Sequence, residues 1–334
     1  MLLLMFNSQN DERIPSMSFV SNCTADVILR AAKALKDGHL VAFPTETVYG
    51  LGADASNSEA VARIYSVKGR PADHPLIVHI ASMHDMDKWA IDIPEYAIKL
   101  AREFWPGPMT LVLKRSELAK DFITGGQDTV GVRVPNQQIA LALLEEFKKL
   151  GGLGVAAPSA NRFGAVSPTT AQAVEDELSD YLIEDDLILD GGPSQVGVES
   201  TIIDCTNDLP KVLRLGAVTS DKIQEITGLK VMELEASPNI RVSGSLESHY
   251  APRAKVILDA IPKAGSGLLA LSDVKTPDGV IRLASPGSLE EFAHVLYESF
   301  RKADKQGLHE VVVAQPAGDG LAEAIRDRLQ RAAN

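Results

Sequence analysis

Val41-Ala42-Phe43-Pro44-Thr45-Glu46-Thr47-Val48-Tyr49-Gly50-Leu51-Gly52 is the stretch on which the fold assignment turns. An apolar run ends in a proline, three polar side chains follow, and an aromatic residue with two glycines closes the stretch. The pattern predicts a buried strand that breaks into a tight turn. Ligands of α/β proteins sit at strand ends held by a rigid sheet. Taken alone, the stretch fits an ordinary glycine turn equally well. Further polar clusters at strand ends downstream tip the balance toward a site.

Working outward, a helix is expected over 24–37, with Thr24 as N-cap, Val27, Ile28, Ala31, Ala34 and Leu35 on one face, and Gly38 as the stop. Further helices are expected over 58–67, 94–105 (opened by Pro94), 139–149 and 169–178, and strands over 76–80, 109–113, 129–134, 153–157, 187–189, 201–203 and 212–215. Helices and strands mixed throughout predict an α/β fold with an open, covered sheet. Residues 233–252 are polar and punctuated by proline and glycine, so they read as a linker. Strands over 256–258, 268–271 and 311–314 and helices over 289–302 and 321–332 make a second, small α/β unit. The expected division is a loose N-terminal extension over 1–17, a catalytic domain over 18–228, a linker over 229–252 and a C-terminal domain over 253–334. Met17 is an alternative start.

Composition excludes several classes. The chain's 334 residues suffice for two domains, and its net charge of −12 opposes tight nonspecific nucleic-acid binding. Cys23 and Cys205 are the only cysteines, which argues against a structural zinc site and fits a reducing cytosol. The apolar start, Met1 to Phe6, is too short to span a membrane and lacks a basic flank. A cytoplasmic protein is expected.

Phosphate-loop, dinucleotide, zinc-protease and nucleophile-elbow fingerprints are all missing from the sequence. Other polar clusters stand at strand and helix ends. Lys68-Gly69-Arg70-Pro71 follows a helix; the two cations suit a polyphosphate, and they suit the helix's negative end equally. His74 and His79 flank an apolar run; such histidines are ordinarily structural, although alternation turns His79 toward a cleft. Arg133 and Arg214 interrupt apolar strands, and each needs a buried acid or an anionic ligand. Pro158-Ser159-Ala160-Asn161 reads either as a helix N-cap or as a loop holding phosphate or ribose. Gly197-Val198-Glu199-Ser200-Thr201 brings Ser200 to a strand edge. Together these groups suit a nucleotide plus a small zwitterion.

At these residues the chain resembles the YrdC-type family of threonylcarbamoyl-AMP synthases. The resemblance rests on the stretch around Thr47, on Lys68-Gly69-Arg70, Phe104-Trp105-Pro106-Gly107-Pro108, Val132-Arg133-Val134-Pro135, Ser159-Ala160-Asn161, residues 197–203 and Leu213-Arg214. Ser248-His249-Tyr250-Ala251-Pro252 and the C-terminal unit extend it to the long, two-domain form. It implies a YrdC-like open twisted mixed sheet with helices, plus a small Rossmann-like C-terminal domain. The implied reaction makes threonylcarbamoyl-AMP and pyrophosphate from L-threonine, bicarbonate or CO2, and ATP, with Mg2+ held mainly by phosphates. The product would pass to tRNA threonylcarbamoyl-transferase proteins for the t6A modification of tRNA. By matched position, Thr47, His79, Arg133, Ser159 and Ser200 would hold threonine. Lys68, Arg70, His74, Thr129, Asn161, Ser167 and Arg214 would hold the nucleotide, with Thr169 an alternative to Ser167. Lys68 and Arg70 would act in catalysis, and Tyr250 would reach back from the linker, with residues 237–252 forming a lid. The resemblance implies neither a protein-held metal nor a membrane partner. The competing reading is a YrdC-like RNA-binding module without chemistry; a carbamoyl-transfer domain of the hydrogenase-maturation type lacks its expected zinc-finger cysteines here.

Overall fold

The computed structural model describes residues 18–232, 240–242 and 250–334. The expected extension over 1–17 and most of the expected lid over 237–252 lie outside the described residues.

One eleven-stranded mixed sheet organises the first part of the chain. From one edge its strands are Val20–Asn22, Leu187–Asp190, Val41–Phe43, Gly50–Asp54, Val155–Ala156, Ile77–His79, Thr129–Arg133, Met109–Arg115, Thr201–Asp204 and Lys211–Arg214, with Ala90–Ile91 pairing alongside Met109–Arg115. Chain-distant strands are thus neighbours at the centre, which brings residues near 45, 79, 133 and 159 together. Helix Ala25–Lys36 begins where Thr24 accepts a bond from the Val27 amide, and it buries Ala31, Ala32 and Leu35. Helix Ser58–Lys68 ends at Gly69, whose φ of 63° is the left-handed stop.

The second sheet has four parallel strands in the order Lys255–Leu258, Glu310–Val313, Gly267–Leu269 and Ile281–Ala284. Helices Leu289–Lys305 and Leu321–Ala333 pack on it. The core built on this sheet also takes in Val48, Val166, Val198 and Tyr250, so the two parts share apolar surface. Among the described residues, no helix is long and apolar enough to cross a membrane.

The structure revises several expectations. Gly50 and Gly52 are not turn residues: they lie inside strand Gly50–Asp54, antiparallel to Val41–Phe43. A Cβ on Gly52 would stand 2.7 Å from Val155 Cγ1 and 2.8 Å from Phe43 Cε1, so this glycine admits neighbouring side chains. Pro158-Ser159-Ala160-Asn161 does not cap a helix, because the next helix begins only at Ala171. Pro94 sits at the N-cap and not inside its helix. Strands Val20–Asn22 and Ile281–Ala284 and helix Ser220–Thr227 were not expected; each is short, with few positions to establish a period.

Candidate active site

The loop between Phe43 and Gly50 is folded by its own hydroxyl. Thr45 Oγ1 accepts from the amides of Thr47 and Val48, each at 3.2 Å, and donates to the Val48 carbonyl at 2.6 Å. The loop is then stitched to its surroundings. Val196 N–H donates to the Glu46 carbonyl at 2.7 Å, and Ala160 N–H donates to the Tyr49 carbonyl at 2.8 Å.

A cavity opens against this loop. Its lining includes Thr47, His79, Arg133, Ser159, Ser200, Arg214 and Tyr250. Each of the first six is carried by a separate strand or strand-end loop, and Tyr250 follows the linker.

Arg133 Nη2 donates to Glu46 Oε1 at 2.7 Å and to Thr47 Oγ1 at 2.9 Å. Its Nε is buried with no hydrogen-bond partner among the described residues. A buried ion pair therefore exists, and one edge of the guanidinium is left over. His79 packs edge-on against Phe43 at 5.7 Å. Burial first, and then Arg133, push the His79 imidazole down to about 3, so it is neutral at ordinary pH. Ser200 Oγ lies 2.8 Å from Thr110 Oγ1 and accepts from Arg214 Nη2 at 3.0 Å. Arg214 Nε also donates to the Ser200 carbonyl at 3.0 Å.

Lys68, Arg70 and His74 stand on the flank rather than in the lining. Lys68 is buried, and its Nζ donates to the carbonyls of Ser159, at 2.5 Å, and of Asn161. Burial first, and the Arg70 charge second, hold its pKa well below the usual lysine value. Arg70 and His74 meet on the Phe163 ring, at 5.9 and 5.4 Å from its centroid. Burial pushes the Arg70 guanidinium down to about 10, and Arg214 adds to the effect. Burial also lowers Arg214, with Arg133 among the like charges acting on it. A buried Arg214 destabilised by neighbouring cations favours an anionic ligand.

Asn161 donates to the carbonyls of Arg162 and Ala165, each at 2.8 Å, and its Oδ1 is buried without a partner among the described residues. Ser167 is fully buried and donates to Glu199 at 2.7 Å; it does not line the cavity. Thr129 lines an adjoining cavity that shares Ile77 and is bordered by Arg241 and Val242.

Four residues in this arrangement escaped the sequence reading. Glu46 also accepts from the Asn136 amide at 2.9 Å, so it aligns the Arg133 strand with the loop. Glu199 sits at the cavity wall and is bonded by Ser167, Tyr297 and Arg328. Burial raises its pKa, but Arg328 and Arg214 outweigh that and hold the carboxyl at about 2. A carboxylate so committed is a poor general base. Thr110 was hidden as one more strand residue. Arg328 carried a usable signal: it interrupts the apolar stripe Ile325, Leu329, Ala332 of its helix.

Among the described residues, no three His, Cys, Asp or Glu side chains stand where they would hold an ion. The nearby carboxylates of Glu46 and Glu199 already serve cations.

Residues 33–216 match the Sua5_yciO_yrdC family, described as "Telomere recombination", and residues 218–334 match Sua5_C, described as "Threonylcarbamoyl-AMP synthase, C-terminal domain". The threonylcarbamoyl-AMP synthase of Pyrococcus abyssi is 40% identical over 325 residues, covering 90% of this chain and 92% of the relative. That of Bacillus subtilis is 36% identical and covers 92% of each chain. The crystal structure of P. abyssi Sua5 complexed with L-threonine superimposes with a TM-score of 0.84 at 37% identity, covering 95% of this chain and 98% of that one. Over both domains, the chain belongs to the Sua5/YrdC family of threonylcarbamoyl-AMP synthases, in its two-domain form.

Proposed function

We propose that the protein is an L-threonylcarbamoyladenylate synthase, joining L-threonine, bicarbonate or CO2, and ATP into threonylcarbamoyl-AMP and pyrophosphate. One observation carries the reading. Thr47, His79, Arg133, Ser159 and Ser200 come from five places in the chain and converge on one cavity. Its lining of hydroxyls, an imidazole and guanidiniums suits an amino acid meeting part of a nucleotide. The family membership and the threonine complex of the P. abyssi relative support it.

The unpartnered Nε edge of Arg133 would take the threonine carboxylate. The hydroxyls of Thr47, Ser159 and Ser200 and the neutral His79 imidazole would orient the rest. The threonine amine then attacks the carbon of CO2 or bicarbonate. A C–N bond forms, the amine loses its proton, and water departs when bicarbonate is the donor. A carbamate oxygen next attacks the α-phosphorus of ATP. The Pα–O bond to the β-phosphate breaks, and pyrophosphate leaves with the electron pair.

No protein nucleophile is required, so the work is alignment and charge neutralisation. Lys68 and Arg70 would neutralise the leaving pyrophosphate. Lys68 Nζ now rests on two neutral carbonyls, and a triphosphate is a stronger partner for it. His74, Thr129, Asn161, Ser167, Arg214 and Tyr250 would surround the nucleotide. Magnesium would arrive on the phosphate oxygens and add charge neutralisation there. The adenylate would pass to a tRNA-modifying transferase in the cytoplasm.

The test is pyrophosphate release from ATP with magnesium, omitting threonine and bicarbonate in turn. Release that requires both is expected. Release without threonine points to another acceptor. No release from folded protein, together with salt-sensitive RNA binding, overturns the reading in favour of an RNA-binding module.

A further inference from the structure

Ser200 and Arg214 bond each other at the cavity wall, and the C-terminal domain grips both of their strands. Arg328, on helix Leu321–Ala333, is only 1% exposed. Its Nε donates to Glu199 Oε2 at 2.8 Å, and its Nη2 donates to the Leu215 carbonyl at 2.8 Å. Glu199 immediately precedes Ser200, and Leu215 immediately follows Arg214. A single guanidinium therefore ties together the two segments that carry this pair. Asp327 holds the remaining nitrogen, Nη1, at 2.5 Å, so the fork has little freedom.

Other contacts converge on the same place. Tyr297, from helix Leu289–Lys305, donates to Glu199 Oε2 at 2.9 Å. The Tyr297 ring stacks on Tyr250 at 5.6 Å, and Arg328 lies over the Tyr250 ring at 5.4 Å. Tyr250 holds a φ of 64°, rare for a bulky residue, so these contacts fix a cavity-lining side chain in a conformation it would not favour alone. Gly197 has a φ of 80°, and a Cβ there would stand 2.4 Å from the Ala293 carbonyl oxygen. The loop before Ser200 is thus pressed directly onto helix Leu289–Lys305.

We propose that Arg328, assisted by Tyr297, is a positioning residue for amino-acid binding: through Glu199 and Leu215 it sets the Ser200–Arg214 wall, and through its ring contact it seats Tyr250. The C-terminal domain on this account completes the binding site of the first. The proposal rests on the reading of the cavity as a threonine site.

The test is calorimetric titration of L-threonine into the full-length wild type, Arg328→Met, Arg328→Lys, Tyr297→Phe and Lys305→Met. Lys305→Met breaks a different interdomain ion pair, to Asp176, at an exposed position. Removing hydrogen bonds to a charged group predicts a Kd raised about tenfold or more in Arg328→Met, partial recovery in Arg328→Lys, and about threefold weakening in Tyr297→Phe. Lys305→Met should stay within about twofold of wild type, as exposed pairs contribute little. A merely structural role would lower the melting temperature and leave Kd alone. Folded Arg328→Met that binds threonine like the wild type overturns the proposal. Should Arg328→Met not fold, Tyr297→Phe decides by the same criterion. Equal weakening in Lys305→Met also overturns it, since any interdomain contact would then serve. A wild type that binds no threonine overturns the site reading itself.

Discussion

Arg133 and Glu46 meet at 2.7 Å inside the protein, and the same Arg133 nitrogen reaches Thr47 at 2.9 Å. Each carboxylate oxygen of Glu46 has its own task, one on the guanidinium and one on the Asn136 amide. The pair thus locks a strand end to the loop beside it, with Arg133 Nε still available. A buried pair of this kind tolerates loss of one partner poorly, because the other is left charged and dry.

Arg133→Ala should accordingly raise the threonine KM far more than the ATP KM. Loss of a charge-assisted bond predicts about 10- to 100-fold for threonine. Steady-state pyrophosphate release at varied threonine and varied ATP measures both. An unchanged threonine KM in folded protein would remove the carboxylate role.

Lys68→Ala should divide binding from chemistry. Lys68 touches carbonyls flanking the cavity but does not line it. Threonine affinity should stay within about twofold, while pyrophosphate release falls about 100-fold or more, the scale for losing an electrostatic stabiliser of a transition state. Calorimetry and single-turnover assays report the two quantities separately. Weakened threonine binding with normal turnover would reverse the assignment.

Gly52→Ala tests packing at the strand pair behind the site. The added methyl would meet Val155 Cγ1 at 2.7 Å and Phe43 Cε1 at 2.8 Å. Overpacking of this kind costs about 1–3 kcal/mol. Urea unfolding should show a lowered midpoint; an unshifted one would mean that Phe43 and Val155 move aside freely.

The Glu199 carboxylate gives a pH signature. Its pKa is lowered on folding, from 4.5 to about 2, so the folded state binds fewer protons than the unfolded chain. Its contribution is complete above pH 4.5 and is lost as pH falls toward 2. One unit below 4.5, the loss is on the order of 1 kcal/mol. The stability gap between wild type and Glu199→Gln should therefore be constant from pH 7 to 5 and narrow below that. A gap that widens on acidification would contradict the folded-state value.

The larger helices were legible because their signals are local. Helix Ala25–Lys36 shows its cap, its apolar stripe and its stop within a few residues of each other. Most long strands were legible for the same reason. Strand Gly50–Asp54 was not: its two glycines read as turn residues until Phe43 and Val155 are seen to need the space. Within the site, Arg133 and Arg214 betrayed themselves as charges inside apolar strands, whereas Glu46 and Thr110 sat in polar or alternating contexts where nothing marks a partner.

Local pattern and residue chemistry thus sufficed for the α/β class, the two-part organisation and the charges out of place in apolar strands, because caps, periodicity and misplaced charges are properties of short segments. Tertiary structure alone decided which of them share a cavity. Glu46 finds Arg133, 87 residues away, and Glu199 finds Arg328, 129 residues away. Such pairings follow from strand order and domain packing, and no local periodicity encodes them. Burial then turns them from weak surface attractions into contacts that hold a wall in place.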